Sequence, residues 1–161
     1  MVNYMIIHIY VDKNRNMIMV PFKQTKIGYA LATQPYKVFN KDEWNNASVH
    51  VLDLLIEAIK NPIAEDINQN VFKKICGNRG FKQFSKKHIC ISVRYNITEK
   101  TFEVSNQPRL SDGSYGTEKN SISEEYCIKY ACTKESDLLQ ENFLKAYEDA
   151  EQYLKRIGLE L

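Results

Sequence analysis

Residues 71–106 read VFKKICGNRGFKQFSKKHICISVRYNITEKTFEVSN, and this stretch decides the predicted fold. Its first half, residues 71–87, carries six Lys or Arg and no acidic residue. In its second half, residues 88–96 and 101–106 predict two β-strands joined by a short polar turn. A basic segment therefore leads into a hairpin, which we expect to form the centre of a sheet.

Three further strands are predicted before this stretch. Tyr4 to Val11 is rich in β-branched and aromatic residues, which predicts a strand buried on most of both faces. After the polar turn 12–16, Met17 to Phe22 returns as a second strand, and Pro21 marks its end or a sheet edge. A third, short strand is predicted from Gly28 to Thr33.

A long helix is predicted next. Asn45 and Asn46 can cap its start, and Pro62 ends it. Its apolar residues recur at helical spacing, so that one face should lie on the sheet: Val51, Leu52, Leu55, Ile56 and Ile59. A weaker helix from Gln69 to Cys76 should end at Gly77, which suits a left-handed cap.

The chain after the hairpin predicts a loop, a sixth strand and a second long helix. The loop runs from Pro108 to Ser121 and holds turn-forming residues without periodicity. The strand is Tyr126 to Cys132. Ser136 caps the helix, which Gly158 closes. Its apolar stripe comprises Leu139, Phe143, Ala146, Tyr147, Ala150, Tyr153, Leu154 and Ile157.

Together these elements predict an α+β fold in a single domain, residues 1–161. We expect a mostly antiparallel sheet of about six strands, with two long helices and one short helix packed on it and the long helices on one face. The pattern of three strands and a helix occurs twice, in residues 4–60 and 89–157. A duplication is one explanation of that pattern.

Composition is that of a globular protein. Hydrophobic residues make up 43% and charged residues 26% of the 161. No apolar run approaches the roughly 20 residues needed to cross a bilayer, and the start lacks the features of a signal peptide. We therefore expect a cytoplasmic protein without membrane contact, whose four cysteines are reduced and mostly buried.

Charge is unevenly distributed along the chain although the net value is only +2. Residues 1–100 hold 15 Lys and Arg against 8 Asp and Glu, whereas residues 101–161 hold 7 against 12. Such asymmetry can steer a charged macromolecular partner.

The sequence contains no recognisable catalytic or cofactor-binding motif. Neither a phosphate-binding Gly-rich loop nor a His-Glu-x-x-His or Cys-x-x-Cys motif is present, so we predict no cofactor, no metal and no enzymatic activity. His8, His50 and His88 are predicted to be structural or surface residues. His88 and Cys90 share a face of one strand, and a thiol enzyme using this pair is the weakest alternative.

The basic segment raises the possibility of nucleic-acid binding. Its lysines are Lys73, Lys74, Lys82, Lys86 and Lys87, interleaved with Phe72, Phe81 and Phe84. Phe81 and Phe84 are three residues apart, the spacing of core anchors in helical turns. We therefore favour buried phenylalanines beneath solvated lysines. An RNA-binding or RNA-processing domain remains the alternative function.

An acidic region follows the hairpin. It contains Asp112, Glu118, Glu124 and Glu125, with Tyr115 as an aromatic neighbour. These five residues are the predicted contact patch for a basic protein partner. Ordinary solubilising charges are the alternative interpretation.

The order of these segments resembles that of bacterial contact-dependent growth inhibition (CDI) immunity proteins. The resemblance lies in residues 72–86 (FKKICGNRGFKQFSK), the strands Cys90 to Tyr95 and Thr101 to Val104, and the helix Ser136 to Tyr153. In that family a short helix and a Gly-Phe-Lys-x-Phe segment precede a hairpin and a C-terminal amphipathic helix.

The resemblance implies an antitoxin in bacterial competition. Its partner would be a cognate toxin, the C-terminal domain of a delivered effector and often a nuclease. The immunity protein would bind the toxin in the cytoplasm and block its active site or substrate surface. The family supplies no catalytic residues to transfer, and its toxin contacts vary. Oligomeric state is left open.

Overall fold

The protein adopts the predicted α+β fold. The computed structural model describes residues 2–64, 71–107, 109, 113–115, 137–156, 158–159 and 161, together with the backbone of 129–132. The strands are β1 (Tyr4–Val11), β2 (Met17–Gln24), β3 (Ala30–Ala32), β4 (Lys37–Phe39), β5 (Ile89–Asn96), β6 (Thr101–Gln107) and β7 (Lys129–Cys132). The α-helices are α1 (Ala47–Lys60), α2 (Val71–Cys76), α3 (Gly80–Ser85) and α4 (Asp137–Arg156).

All strands lie in one antiparallel sheet with the order β3-β2-β1-β5-β6-β7. The short strand β4, which the sequence did not predict, pairs with residues 17–19 of β2, while β3 pairs with residues 22–24. β3 and β4 therefore follow one another along the same edge of β2. The sheet has six strand positions, as predicted, with the outermost shared by two short strands.

The strands β1 and β5 lie at the centre of this sheet, whereas β6 lies next to the edge strand β7. The prediction that the hairpin β5–β6 forms the centre is therefore correct for β5 only. β5 pairs with β1 on one side and with β6 on the other, and its register with β1 runs from Tyr4 opposite Asn96 to Val11 opposite Ile89. Three strand positions lie on each side of the β1–β5 junction, and each set is followed in the chain by a long helix. The two halves of the chain thus form the two halves of the sheet.

The two faces of the sheet are covered by different helices. Alternate strand residues point to opposite faces, so that Ile7 and Ile91 meet the long helices while Tyr10 and Cys90 meet the short ones. α1 and α4 contact each other and the sheet on one face, which confirms that both long helices share a face. The main core lies there and includes Met5, Ile7, Ile9, Val51, Leu55, Ile91, Leu139 and Phe143.

The basic segment forms two short helices. α2 ends at Gly77, whose positive φ of 59° provides the predicted left-handed cap. A 3₁₀ turn, Gly77–Arg79, leads into α3, a helix that the sequence did not predict. Both short helices lie on the opposite face from α1 and α4. In the part of the chain that is described, no helix is long and apolar enough to span a bilayer.

Candidate functional site

The two helical layers carry opposite charge. The long-helix layer (residues 41–60 and 137–156) contains nine Asp or Glu against five Lys or Arg. The short-helix layer (residues 71–88) contains six Lys or Arg and no acidic residue. Because the sheet separates these layers, the asymmetry seen along the chain becomes, in the described structure, an asymmetry between opposite faces of the molecule.

All five lysines predicted as a nucleic-acid surface are exposed on the short-helix layer. Lys73 and Lys74 belong to α2, Lys82 belongs to α3, and Lys86 and Lys87 follow α3 directly. The fold brings them onto one side of the protein, joined by the exposed Arg79. This layer is the basic surface of the described residues.

The phenylalanines of the basic segment form an aromatic cluster beneath these lysines. Tyr10 of β1 contacts the rings of Phe72 and Phe84, with centroid distances of 5.7 and 5.3 Å. Phe72 also meets Phe81 edge-on at 5.0 Å. Edge-to-face packing of this kind favours mutual contact over stacking with bases. The prediction of buried phenylalanines is confirmed for Phe84, whereas Phe72 and Phe81 are partly buried and pack against the same cluster.

A cleft of about 650 Å³ opens on the short-helix layer. Ile18, Ile75 and Phe84 supply apolar lining, while Arg79 and Lys87 are exposed at its margin. The cleft therefore combines an apolar surface with positive charge. Sequence reasoning missed it because its wall from β2 is distant from the basic segment in the chain.

Tyr115 joins the loop after β6 to the short-helix layer. Its hydroxyl donates to the carbonyl oxygen of His88 at 2.7 Å, and the carbonyl oxygen of Ser85 lies 3.2 Å from the same hydroxyl. The ring also packs 5.7 Å from Tyr10. Tyr115 thus has a structural role whether or not its remaining surface contacts a partner. The other predicted partner contacts, Asp112, Glu118, Glu124 and Glu125, lie outside the described residues.

His88, which immediately precedes β5, and Cys90 of β5 have different surroundings. Cys90 is fully buried, and burial raises the pKa of its thiol well above the usual range. The imidazole Nδ1 of His88 donates to the carbonyl oxygen of Phe84 at 2.8 Å, and the ring stacks on Phe84 at 3.9 Å. A nucleophilic cysteine needs a lowered thiol pKa and access to substrate. The surroundings of Cys90 provide neither.

The other two histidines are also engaged in packing. Burial lowers the pKa of His8 to about 4, and its ring lies 4.3 Å from Phe22. His50 stacks on Phe39 and its Nε2 donates to Glu43 at 2.6 Å. No cluster of three potential metal ligands occurs among the residues that the structure describes.

α1 presents apolar side chains to solvent as well as to the core. Val51 and Leu55 are buried as predicted, but Ile56 and Ile59, which were predicted to lie on the sheet, are 58% and 36% exposed. Their assignment to the core was wrong because α1 has apolar residues on two sides, and Leu54 and Ala58 occupy the side that meets the sheet. Val49 is also exposed, at 52%, and lies on the same solvent-facing side of α1 as Ile56 and Ile59.

Comparison with known proteins indicates the fold. A scan of protein families found no match, and neither did a search of curated proteins. Among solved structures, the chain is similar to a "Protein of Unknown Function NMB0488" from Neisseria meningitidis, with a TM-score of 0.54 and 10% sequence identity over 94% of both chains. At this identity the likeness is one of fold alone.

Proposed function

We propose that this protein is an immunity protein of the contact-dependent growth inhibition type. It binds a cognate toxin, the C-terminal domain of a delivered effector, in the cytoplasm of the producing cell. Binding covers the active site or substrate surface of the toxin. The protein itself performs no chemistry in this role.

The observation that carries the proposal is the opposite charge of the two helical layers. A nuclease toxin needs a basic surface to bind nucleic acid, and an inhibitor that covers this surface needs a complementary acidic one. The long-helix layer, with its nine acidic residues, offers such a surface on a rigid part of the fold. Glu148 is an exposed acidic residue of α4 on this layer.

The packing of the potential catalytic groups also supports a binding role. The thiol of Cys90 is buried, and the rings of His8 and His88 are packed against aromatic neighbours. These side chains therefore belong to the packing beneath the short helices. A protein that acts by binding through its surface does not need them for catalysis.

The predicted acidic patch is a second candidate for toxin contact. Asp112, Glu118, Glu124 and Glu125 belong to the acidic last third of the sequence and lie outside the described residues, while Tyr115 is bound to the short-helix layer. We propose that the four acidic residues contribute charge to toxin binding in addition to that of α4. Complementary charge of this kind increases the association rate and makes it depend on salt.

The test is the kinetics of toxin binding. Reversing charge in the variant Glu124→Lys/Glu125→Lys, or in Glu148→Lys, should slow association about tenfold at low salt, and the effect should shrink as salt is added. The matched control is Lys82→Glu/Lys86→Glu on the opposite layer, which should not slow association. Unchanged kinetics in both acidic variants would remove this surface from the proposal.

RNA binding is the second candidate, and the short-helix layer favours it. The segment holds six basic residues and no acidic one, and two of them, Arg79 and Lys87, line a cleft that also has an apolar lining. An RNA-binding or RNA-processing domain would show RNA affinity that falls steeply with salt. Filter binding to single-stranded RNA at low ionic strength tests this. Absence of binding, or binding that survives in Lys82→Glu/Lys86→Glu, would reject this use of the surface.

A further inference from the structure

The outer stripe of α1 consists of Val49, Leu52, Ile56 and Ile59. Three of these side chains are more than a third exposed, and Leu52 is partly buried. They lie three or four residues apart, the spacing that aligns side chains along one side of a helix. The core residues Val51, Leu54, Leu55 and Ala58 occupy the side that faces the sheet. α1 therefore has one apolar side for its own core and a second that no described residue covers fully.

Charged residues flank this stripe in an arrangement that is complementary to itself. Asp53 and Lys60 are both exposed and lie on the same flank, seven residues or two helical turns apart. Ile56 lies about midway between them along the helix. If two copies of α1 pack in antiparallel orientation about a twofold axis near Ile56, then Asp53 of each copy lies opposite Lys60 of the other. In a parallel arrangement the two charged flanks would lie on opposite sides of the seam, so that no Asp53–Lys60 pair would form.

We propose that the outer stripe of α1 is an interface with a second copy of this chain. The two α1 helices pack antiparallel, with Ile56 at the centre and reciprocal Asp53–Lys60 pairs at the flank. An interface of this kind is isologous, so it closes at a dimer. Asp53 is one of the nine acidic residues of the long-helix layer, but the residues changed in the toxin-binding test, Glu148, Glu124 and Glu125, are not part of the outer stripe, so the two proposals are tested by different variants.

The expected affinity is moderate. Four apolar side chains from each copy form a seam smaller than the roughly 1,200–2,000 Å² of a standard protein interface. Each exposed ion pair contributes little to the free energy of dimerisation, although the twofold symmetry gives two such pairs per dimer. We expect a dissociation constant on the order of 10–100 µM.

Sedimentation velocity over a concentration series on the full chain tests the interface. The wild type should shift from one chain of 18.8 kDa towards twice that mass as concentration rises. Ile56→Glu should abolish the shift because it places charge in an apolar seam. The matched control is Ile27→Glu, the same change at a residue that is 74% exposed outside the stripe, and it should dimerise like the wild type.

Charge exchange tests the antiparallel orientation. Asp53→Lys alone and Lys60→Asp alone should each weaken dimerisation about tenfold, since each places like charges opposite one another. An equimolar mixture of these two variants should dimerise with the affinity of the wild type, because both cross-pairs are then of opposite sign. The double variant Asp53→Lys/Lys60→Asp should do so as well.

Four results would overturn the proposal. They are a wild type that stays monomeric up to millimolar concentration, an oligomer larger than a dimer, an Ile56→Glu variant that still dimerises, and a mixture of single charge variants that fails to pair. Circular dichroism and thermal melting confirm that each variant is folded; all the changed side chains are exposed.

Discussion

Replacement of His8 with glutamine should make the stability of the protein less sensitive to mild acid. His8 lies on β1 among aromatic side chains, 4.3 Å from the ring of Phe22, with its Nδ1 3.3 Å from the hydroxyl of Tyr10. Burial lowers the pKa of its imidazole to about 4, against an ordinary value of 6.5. The folded protein therefore holds His8 neutral at a pH where the unfolded chain would protonate it.

The sign and size of the effect follow from proton linkage. The pKa of His8 is 6.5 in the unfolded chain and about 4 in the folded protein. The folded state therefore has its full stability above pH 6.5, and it loses stability relative to the unfolded chain as the pH falls from 6.5 towards 4. Each unit of pH in this window costs about 1.4 kcal/mol. Between pH 7.5 and pH 5 the loss due to His8 should be about 2 kcal/mol.

Urea unfolding at pH 7.5 and pH 5 measures this difference. Trp44, the sole tryptophan, is buried against Phe143 and Tyr147 at centroid distances of 5.0 and 4.8 Å, so its fluorescence reports on the core. The free energy of unfolding of the wild type should fall about 2 kcal/mol further than that of His8→Gln. Other acid-sensitive groups affect both proteins and cancel. Equal losses in the two proteins would refute the assignment of a buried, neutral imidazole.

Three further predictions use the same assays. Tyr115→Phe removes the hydroxyl that binds the carbonyl oxygen of His88, and should lower the free energy of unfolding by about 1–2 kcal/mol; no change would mean that the loop is not anchored there. The half-exposed thiol of Cys76 should react with a disulfide reagent before the fully buried Cys90, and faster labelling of Cys90 in the native protein would contradict its burial. Gln140→Ala removes two hydrogen bonds from α4 to the start of α1 and should cost about 1–2 kcal/mol, whereas an unchanged urea midpoint would contradict this role.

The strands and long helices could be predicted from the sequence because their signals are local. Tyr4–Val11 and Ile89–Asn96 have the predicted bounds, and α4 buries most of its predicted stripe. The short elements β4 and α3 were missed. Strands and helices of three to six residues contain too few side chains for a period to be recognised.

The outer stripe of α1 could not be assigned from the sequence alone. α1 has apolar residues on two sides, and the helical period alone does not show which side faces the sheet. Ile56 was therefore assigned to the core, whereas Leu54 and Ala58 are the residues that face the sheet. The contact of Tyr115 with His88 was missed for a different reason. It joins residues 27 positions apart, and no local pattern predicts such a pair.

The separation of charge between two faces was only partly predictable. Composition along the chain indicated a basic first part and an acidic last part. The sequence predicted that α1 and α4 share a face, but it did not predict that α2 and α3 lie on the opposite face, because that depends on how the sheet divides the helices. On the other face, the basic segment and Tyr115 pack against the sheet in the described structure.

Co-purification with the toxin is the most direct test of the proposed function. The proposal predicts that the reading frame immediately upstream encodes a large secreted effector with a variable C-terminal domain. The protein should be co-expressed with that domain, and the activity of the domain measured with and without it. We predict an equimolar complex in which toxin activity is suppressed. A toxin domain that remains fully active in excess of this protein, with no complex formed, would contradict the proposal.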